Sequence, residues 1–435
     1  MGRIFGTDGV RGVAISELTV DLALKIGKAV ANIFAPNGGK ILIGRDTRLS
    51  SPSLESAIAA GVTSCGVDAV LLGVVPTPAV AYLTRTGKSN AGIMISASHN
   101  SFEFNGIKVF DSEGFKISDK NQNDIEDLIL NDFQGVDYPK DDCIGIVKHE
   151  KYYVGSYINY LRKMLSSVNL KVVIDCANGS ACQCVGKVFK GIDNFEYINY
   201  SPDGLNINKD CGSTYLASLS HYVIKNRLDL GISFDGDADR CLAVDRFGEV
   251  INGDHIIASM AVAMKENSTL SSLSSNTVVG TKMSNMGFEK FLENSGIKLI
   301  RADIGDRFVV EEMKKHNSSI GGEQSGHIIF SDYSTTGDAI LTAIMLINLV
   351  SDIGDSSKIS GIFRPYPQFV KNIKISRDAN FEEKLNNSIQ KLGKLLSNDG
   401  RVFVRKSGTE PLIRVMCESK NFAKLDECKA ILDEI

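Results

Sequence analysis

The sequence predicts an α/β protein of four domains: three α/β units followed by a small α+β lobe. Three observations lead there. The chain has 435 residues, more than one hydrophobic core normally holds. Short apolar runs of strand type alternate with helical patterns over most of its length, a rhythm that implies largely parallel sheets. That rhythm pauses in a polar stretch from Asn131 to Glu150, restarts, and gives way to paired strands and helices near the end. The boundaries read as 1–150, 151–251, 252–361 and 362–435.

In the first unit, Lys40–Gly44, Ala69–Gly73 and Ile93–Ile95 read as strands, with helices over Ser53–Cys65 and Pro78–Thr86. In the second, Leu170–Asp175 is a strand followed by a turn, Cys176–Ser180, that opens a helix. Leu228–Phe234 is an apolar strand running into an acidic loop. The third alternates helix Asp254–Lys265, strand Thr277–Thr281, helix Gly287–Asn294, strand Lys298–Ala302 and helix Asp306–His316. An apolar strand and a long helix, Asp338–Val350, complete it. The last unit reads as strand Phe369–Ile375, helix Asn380–Leu396, strands Arg401–Arg405 and Leu412–Cys417, and helix Phe422–Ile435.

Composition excludes several classes. The chain is 43% hydrophobic and 23% charged with a net charge of -4, so no broad basic surface points to nucleic acid. No run of about 18 apolar residues indicates a membrane span, and the N-terminus lacks the apolar core of a signal peptide. The nine cysteines are odd in number and irregular in spacing. Cys182-Gln183-Cys184 is too tight for a zinc knuckle and no matching pair follows. They read as reduced thiols of a cytoplasmic protein.

Four stretches carry chemistry. The strand Ile93–Ile95 ends in Ser96-Ala97-Ser98-His99-Asn100, at the edge where α/β proteins place reacting groups. Ser98 is a candidate nucleophile or phosphate carrier. Asp235-Gly236-Asp237-Ala238-Asp239-Arg240 follows a strand directly. Alternation in an extended loop would turn its three carboxylates to one side, where their repulsion calls for a cation and all-oxygen ligation suits Mg²⁺. An EF-hand is excluded, because the sixth position is Arg240 and the twelfth Arg246. Arg240 can help offset the charge of an anionic substrate. In Gly322-Glu323-Gln324-Ser325-Gly326-His327, Glu323 and Ser325 alternate and can bind hydroxyls, and His327 is a candidate acid/base. In Arg405-Lys406-Ser407-Gly408-Thr409-Glu410-Pro411, with Arg414 beyond, arginines flank a turn that suits a phosphate ester. Two earlier loops, Phe5–Gly12 and Gly44–Arg48, hold Asp8/Arg11 and Asp46/Arg48. Phosphate contacts and ion pairs are both open there, equally so for the second.

Together the four stretches resemble the motifs of the α-D-phosphohexomutases, in family order and over nearly the whole length. Subtler matches at Phe5–Gly12, Asp203–Asn208 with Cys211–Thr214, and Gly305–Phe308 resemble the amino-sugar branch. The resemblance implies a heart-shaped architecture: three α/β domains with mixed sheets and a mobile C-terminal lobe over a central cleft. It implies isomerisation of glucosamine 6-phosphate to glucosamine 1-phosphate, feeding UDP-N-acetylglucosamine. Transfer would pass through phosphorylated Ser98 and a 1,6-bisphosphate, with glucose or glucosamine 1,6-bisphosphate as an activator. Mg²⁺ would be held by Asp235, Asp237, Asp239 and the Ser98 phosphate. Arg11 and Lys108 would stabilise the transferring group, His99 the loop, and Lys108 or His327 would handle the proton. Arg240, Glu323 and Ser325 would bind substrate, and Arg405, Ser407, Gly408, Thr409 and Arg414 its distal phosphate. The partner implied is a small sugar phosphate, with neither nucleic acid nor membrane, in a monomer or homodimer. The rival within the family is a phosphomannomutase/phosphoglucomutase. One position departs from the family pattern: Ser101 stands where a proline is usual, which frees an N–H and a backbone angle.

Overall fold

The computed structural model describes residues 4–6, 8–150, 152–266, 272–375, 381–397, 399–406 and 412–433. Its strands form four sheets, taken up one after another along the chain. The first holds β1 (Val10–Val13), β2 (Lys40–Arg45), β3 (Asp68–Val74), β4 (Ala91–Ile95), β5 (Phe104–Asp111) and β6 (Val147–His149), in the order β1-β5-β4-β2-β3-β6. The second holds β7 (Val172–Asp175), β8 (Phe195–Ile198), β9 (Leu230–Phe234), β10 (Cys241–Asp245) and β11 (Val250–Ile251). The third holds β12 (Thr277–Thr281), β13 (Lys298–Ala302), β14 (Ile320–Gly322) and β15 (Ile328–Phe330). The fourth holds β16 (Gln368–Lys374), β17 (Gly400–Lys406) and β18 (Leu412–Ser419).

The first three sheets are mixed rather than largely parallel. In each, parallel strands joined through helices are bordered by antiparallel neighbours: β5 and β1 in the first, β10 and β11 in the second, β15 in the third. Of these, β5, β10 and β15 follow the loops that carry the chemistry, so each of those loops is a turn back along the sheet instead of a crossover. The fourth sheet is antiparallel throughout.

Several elements escape the sequence reading. Helix Val20–Phe34 is an amphipathic helix capped by Thr19, whose side chain accepts the Leu22 N–H. It buries Ala23, Ile26 and Val30 against Leu54, Ile58 and Val62 of helix Ser51–Thr63. The two helices touch at Gly61, where a Cβ would lie 2.2 Å from the Leu24 carbonyl oxygen. β5 escapes because its interior carries polar residues, Asn105 and Lys108, both buried. β6 lies inside the stretch that reads as a connector, since all three of its residues are exposed. Cys176–Ser180 opens a short 3-10 turn, Ser180–Gln183, followed by one α-helical turn, Val185–Val188.

Helix Ala339–Ile353 joins the units. It is buried from Ala339 to Val350, which fits a helix apolar on all sides. Its residues share one core with the second and third sheets and with one face of the first. At its N-terminus Asp338 accepts the Leu341 N–H at 3.0 Å and the Tyr157 hydroxyl at 3.0 and 2.9 Å. The Ala339 N–H donates to the Ala238 carbonyl inside the acidic loop at 3.1 Å. None of the nine cysteines is in a disulfide. Among the described residues no helix is long and apolar enough to cross a membrane.

Burial raises the carboxyl of Asp338 from 3.8 to about 6. Its neutral form is favoured by folding, so its contribution is present at low pH and fades as pH rises through about 6. Asp338→Asn removes this titration. Relative to wild type, D338N should gain roughly 2–3 kcal/mol between about pH 4 and pH 7, at about 1.4 kcal/mol per pKa unit. Denaturant midpoints across that range measure the effect; a difference independent of pH would refute it.

Candidate active site

The Ser98 loop is built on a buried ion pair. Asp46, just past β2, and Arg48 are both fully buried at their side chains and meet at 2.8 Å. Asp46 also accepts the hydroxyls of Ser51 at 2.8 Å and Ser96 at 2.7 Å. The Arg48 guanidinium then donates to the backbone carbonyls of Ser98 (3.0 Å), Asn100 (2.8 Å), Phe104 (3.0 Å) and Ser101. Of the two readings left open for this pair, the structural one holds: these arginine protons are spent on the loop, not on a phosphate. Asn208, from the stretch Asp203–Asn208, adds two donations to the Ser98 and Asn100 carbonyls, each at 2.9 Å. Ser101 is exposed, and only its carbonyl takes part in this arrangement.

So held, Ser98 adopts φ +53, a left-handed conformation uncommon for a residue with a side chain. The Ser96 hydroxyl accepts its N–H at 2.9 Å. Its own hydroxyl is buried and donates to Asp235 Oδ2 at 2.6 Å, with His99 Nδ1 at 3.4 Å. Burial, and then the cations Arg240 and Arg11, lower His99 to about 4, so the ring is neutral.

Asp235, Asp237 and Asp239 are all buried, with carboxylate oxygens within 4.8 Å of one another. They converge, but not through an extended loop. Residues 235–239 form a tight turn with Ala238 at φ +55. Gly236 packs where a Cβ would sit 2.7 Å from the Ser98 carbonyl oxygen. Asp235 accepts the N–H groups of Asp239 and Arg240. Asp237 accepts the Thr77 hydroxyl at 2.6 Å and Lys108 Nζ at 2.8 Å; Lys108 also reaches Asp239 at 2.9 Å. Lys108 is the one ammonium in hydrogen-bond contact with the triplet among the described residues. Desolvation opposes its charge, but Asp237, Asp239 and Asp8 outweigh it and hold it well above the usual lysine range. Burial, and then Asp239 and Asp237, push Asp235 well above the carboxylate range. Asp237 Oδ1 and Asp239 Oδ1 are buried without a hydrogen-bond donor. Three carboxylates against one ammonium, with two such oxygens, fit a hard divalent cation.

The third unit approaches from the other side. Glu323 and Ser325 lie on a turn between β14 and β15, where the Ser325 hydroxyl donates to Glu323 at 3.0 Å. The Gly305 N–H donates to the other Glu323 oxygen at 3.3 Å. His327 is buried, with Nδ1 3.7 Å from Asp239 and Nε2 3.4 Å from Asp306. Burial works against a charged ring and Asp239 and Asp306 work for it, with a net pull upward. The Gly337 N–H nevertheless donates to Nε2 at 3.0 Å, and a nitrogen that accepts a hydrogen bond holds no proton. The arrangement is therefore that of a neutral ring with its proton toward Asp239.

Arg240 lies 3.9 Å from Asp239. Arg11 pairs with Asp8, which also contacts Lys116 and, at 3.6 Å, Lys108. Lys116 in turn contacts Asp306. Thr77, Lys116 and Asp306 complete the cluster, yet sequence reasoning gave none of them a role. Their signal was weak, because a lone threonine or lysine outside a motif looks like any surface residue.

The lobe presents Arg405 and Arg414 directly opposite each other on β17 and β18. Desolvation and the Arg414 charge lower the Arg405 pKa, with Glu323 acting against them. Two like charges across a strand pair favour a bound anion. Ser407, Gly408 and Thr409, read as parts of the same phosphate site, lie outside the described residues.

Known proteins share this organisation. Phosphoglucomutase/phosphomannomutase models match residues 2–135 (α/β/α domain I), 152–248 (domain II), 252–366 (domain III) and 370–435 (C-terminal domain). Phosphoglucosamine mutases of Clostridium beijerinckii and Clostridium acetobutylicum are 46% and 44% identical over 98% of this chain and 97% of theirs. A phosphoglucomutase/phosphomannomutase family protein from Burkholderia thailandensis has the same fold, with a TM-score of 0.83 at 21% identity over 99% of this chain and 96% of that one. Aspergillus fumigatus N-acetylphosphoglucosamine mutase, solved with GlcNAc-6P and magnesium, superposes with a TM-score of 0.62 at 19% identity over 93% and 84%. Full-length identity of this size, with all four domain models in order, places the chain in the phosphoglucomutase/phosphomannomutase family of α-D-phosphohexomutases, and within it among the phosphoglucosamine mutases.

Proposed function

We propose that the chain interconverts glucosamine 6-phosphate and glucosamine 1-phosphate, with Ser98 as the phosphoryl carrier. The observation that carries the reading is the Ser98 hydroxyl seated 2.6 Å from Asp235 in a buried triplet of carboxylates. A hydroxyl so placed, in a loop locked by Arg48, is set to be esterified and discharged repeatedly without moving its backbone. The curated relatives carry that activity in their names.

Phosphorylated Ser98 gives its phosphoryl group to the O1 hydroxyl of glucosamine 6-phosphate: the Ser98 Oγ–P bond breaks and an O1–P bond forms. The resulting 1,6-bisphosphate turns in the cleft. Ser98 Oγ then takes the 6-phosphoryl group, leaving glucosamine 1-phosphate and a recharged serine. A hard divalent ion such as Mg²⁺, held by Asp235, Asp237 and Asp239, would neutralise charge on the transferring oxygens. Arg11 and Arg240 border the same space and add fixed positive charge. The proton of the substrate hydroxyl ends on Ser98 Oγ as the Oγ–P bond breaks. Lys108, already fully protonated on Asp237 and Asp239, adds positive charge beside the transferring group, and His327 Nε2 is occupied by the Gly337 N–H. His327 instead orients Asp239. Glu323 and Ser325 bind sugar hydroxyls. Arg405 and Arg414, with Ser407, Gly408 and Thr409, clasp the phosphate that is not reacting. Burial of the centre keeps water from hydrolysing the phosphoserine.

Three outcomes follow. Values of kcat/KM should favour glucosamine 6-phosphate over glucose and mannose phosphates; preference for a neutral hexose would make the chain a phosphomannomutase/phosphoglucomutase instead. Intact-mass measurement should show a phosphate-sized increment on Ser98 that substrate discharges, and Ser98→Ala should lose at least about a thousandfold in kcat; a fully active S98A overturns the mechanism. Turnover should vanish with a chelator and return with added Mg²⁺; undiminished activity in the chelator would remove the assignment of the triplet to a metal.

A further inference from the structure

We propose that Lys116 is a positioning residue for phosphoryl transfer. It bridges Asp8 of the first unit and Asp306 of the third, and so keeps Lys108 on Asp237 and Asp239. The inference rests on the reading of Ser98 and Lys108 given above and assigns a role to a residue outside every motif.

Lys116 is set by a rigid hairpin. It lies opposite Phe110 across a turn in which Asp111 accepts the N–H groups of Glu113 and Phe115 at 3.0 Å each. The Gly114 carbonyl accepts the Thr335 hydroxyl at 2.5 Å, tying the turn to the third unit. From there the Lys116 side chain, only 14% exposed, contacts both Asp8 and Asp306. Arg307, next along from Asp306, contacts Asp119 just beyond the hairpin. The start of helix Asp306–His316 is thus fixed to the first unit at two adjacent positions.

The allocation of charge gives this bridge its consequence. Asp8 has three cations around it: Arg11, Lys116 and, at 3.6 Å, Lys108. A carboxylate in such a place that loses a partner draws in another cation or leaves a costly uncompensated charge. Lys108 is the one with the shortest way to go, closing from 3.6 Å to hydrogen-bond length. That movement takes it off Asp237 and Asp239, where it stands at 2.8 and 2.9 Å. On the other side, Asp306 would face no cation among the described residues, since the His327 Nε2 that lies 3.4 Å from it accepts the Gly337 N–H and carries no proton. Lys116 therefore holds two carboxylates that would otherwise pull on the groups lining the centre. A shift of about 1 Å in such a group costs roughly a hundredfold in rate.

The test is a double-mutant cycle on the full-length chain with Lys116→Met, Asp306→Asn and K116M/D306N, together with Lys116→Arg. For K116M, kcat should fall about 10- to 100-fold with KM within about threefold, K116R should recover most of it, and K116M/D306N should be no worse than K116M. Should K116M not fold, Lys116→Gln, which keeps a donor between the two acids, should show the same kcat-selective loss. A K116M enzyme with wild-type kcat, a loss seen only as a lower thermal midpoint, or strictly additive effects in the cycle would overturn the inference. Ratios are taken on whichever hexose phosphate the wild type turns over fastest. A wild type inactive on all of them sinks the functional reading, whereas an active wild type with an unchanged K116M sinks this inference alone.

Discussion

Everything at the centre depends on a guanidinium that never meets the substrate. Arg48 is neutralised by Asp46 in a place without water, and its donors are divided among four backbone carbonyls of the loop that carries Ser98. Backbone carbonyls converging on one point would repel one another; a buried arginine is what lets them converge. Arginine suits this role and lysine does not, because a planar fork of five donors serves several acceptors in fixed directions. Removing it would strand Asp46 and release the loop together, and losing one partner of a buried pair typically costs about 3–5 kcal/mol. The left-handed backbone at Ser98 is affordable only because this frame over-determines it.

Around that frame each unit contributes the end of a strand. β4 delivers Ser98, β9 delivers the acidic turn, β14 delivers Glu323, and the β17–β18 hairpin delivers two arginines. The contributions are matched in sign. The acidic turn is too negative alone, and Lys108 from β5 relieves part of it. His327 and Asp306 from the third unit reach the same cluster, and Lys116 closes the circuit back to the first. Alternating charge makes the seam between units specific, since a slip would bring like charges together.

The sequence carried the loops better than the scaffold. Ser98 and the three aspartates stood out because each stretch followed an apolar strand and broke its pattern, and Glu323 and His327 because they lie among glycines just before one. The same rule hid β5: Asn105 and Lys108 interrupt its apolar run because they serve the site, so it does not read as a strand. Helix Val20–Phe34 was legible from Thr19 and the spacing of Ala23, Ile26 and Val30, and it was passed over. Asp46 and Arg48 were visible as a pair but ambiguous. Whether an arginine faces a phosphate or a backbone depends on a loop 50 residues away, which no local pattern records. Convergence of the carboxylates was foreseen by the wrong geometry, since alternation predicts an extended loop and the chain uses a left-handed residue in a turn.

The contact between Ser98 and Asp235 joins positions 137 residues apart, and that between Tyr157 and Asp338 joins positions 181 apart. Closing loops of this length costs entropy before any contact repays it. The sheets can form from nearer pairings, but the centre exists only once separate units have docked. During refolding, recovery of secondary structure therefore runs ahead of recovery of turnover. A fragment ending before residue 230 would display the serine loop with no acidic turn to receive its hydroxyl. Chemistry in this chain is the last property to be acquired on folding and the first to be lost when any unit loosens.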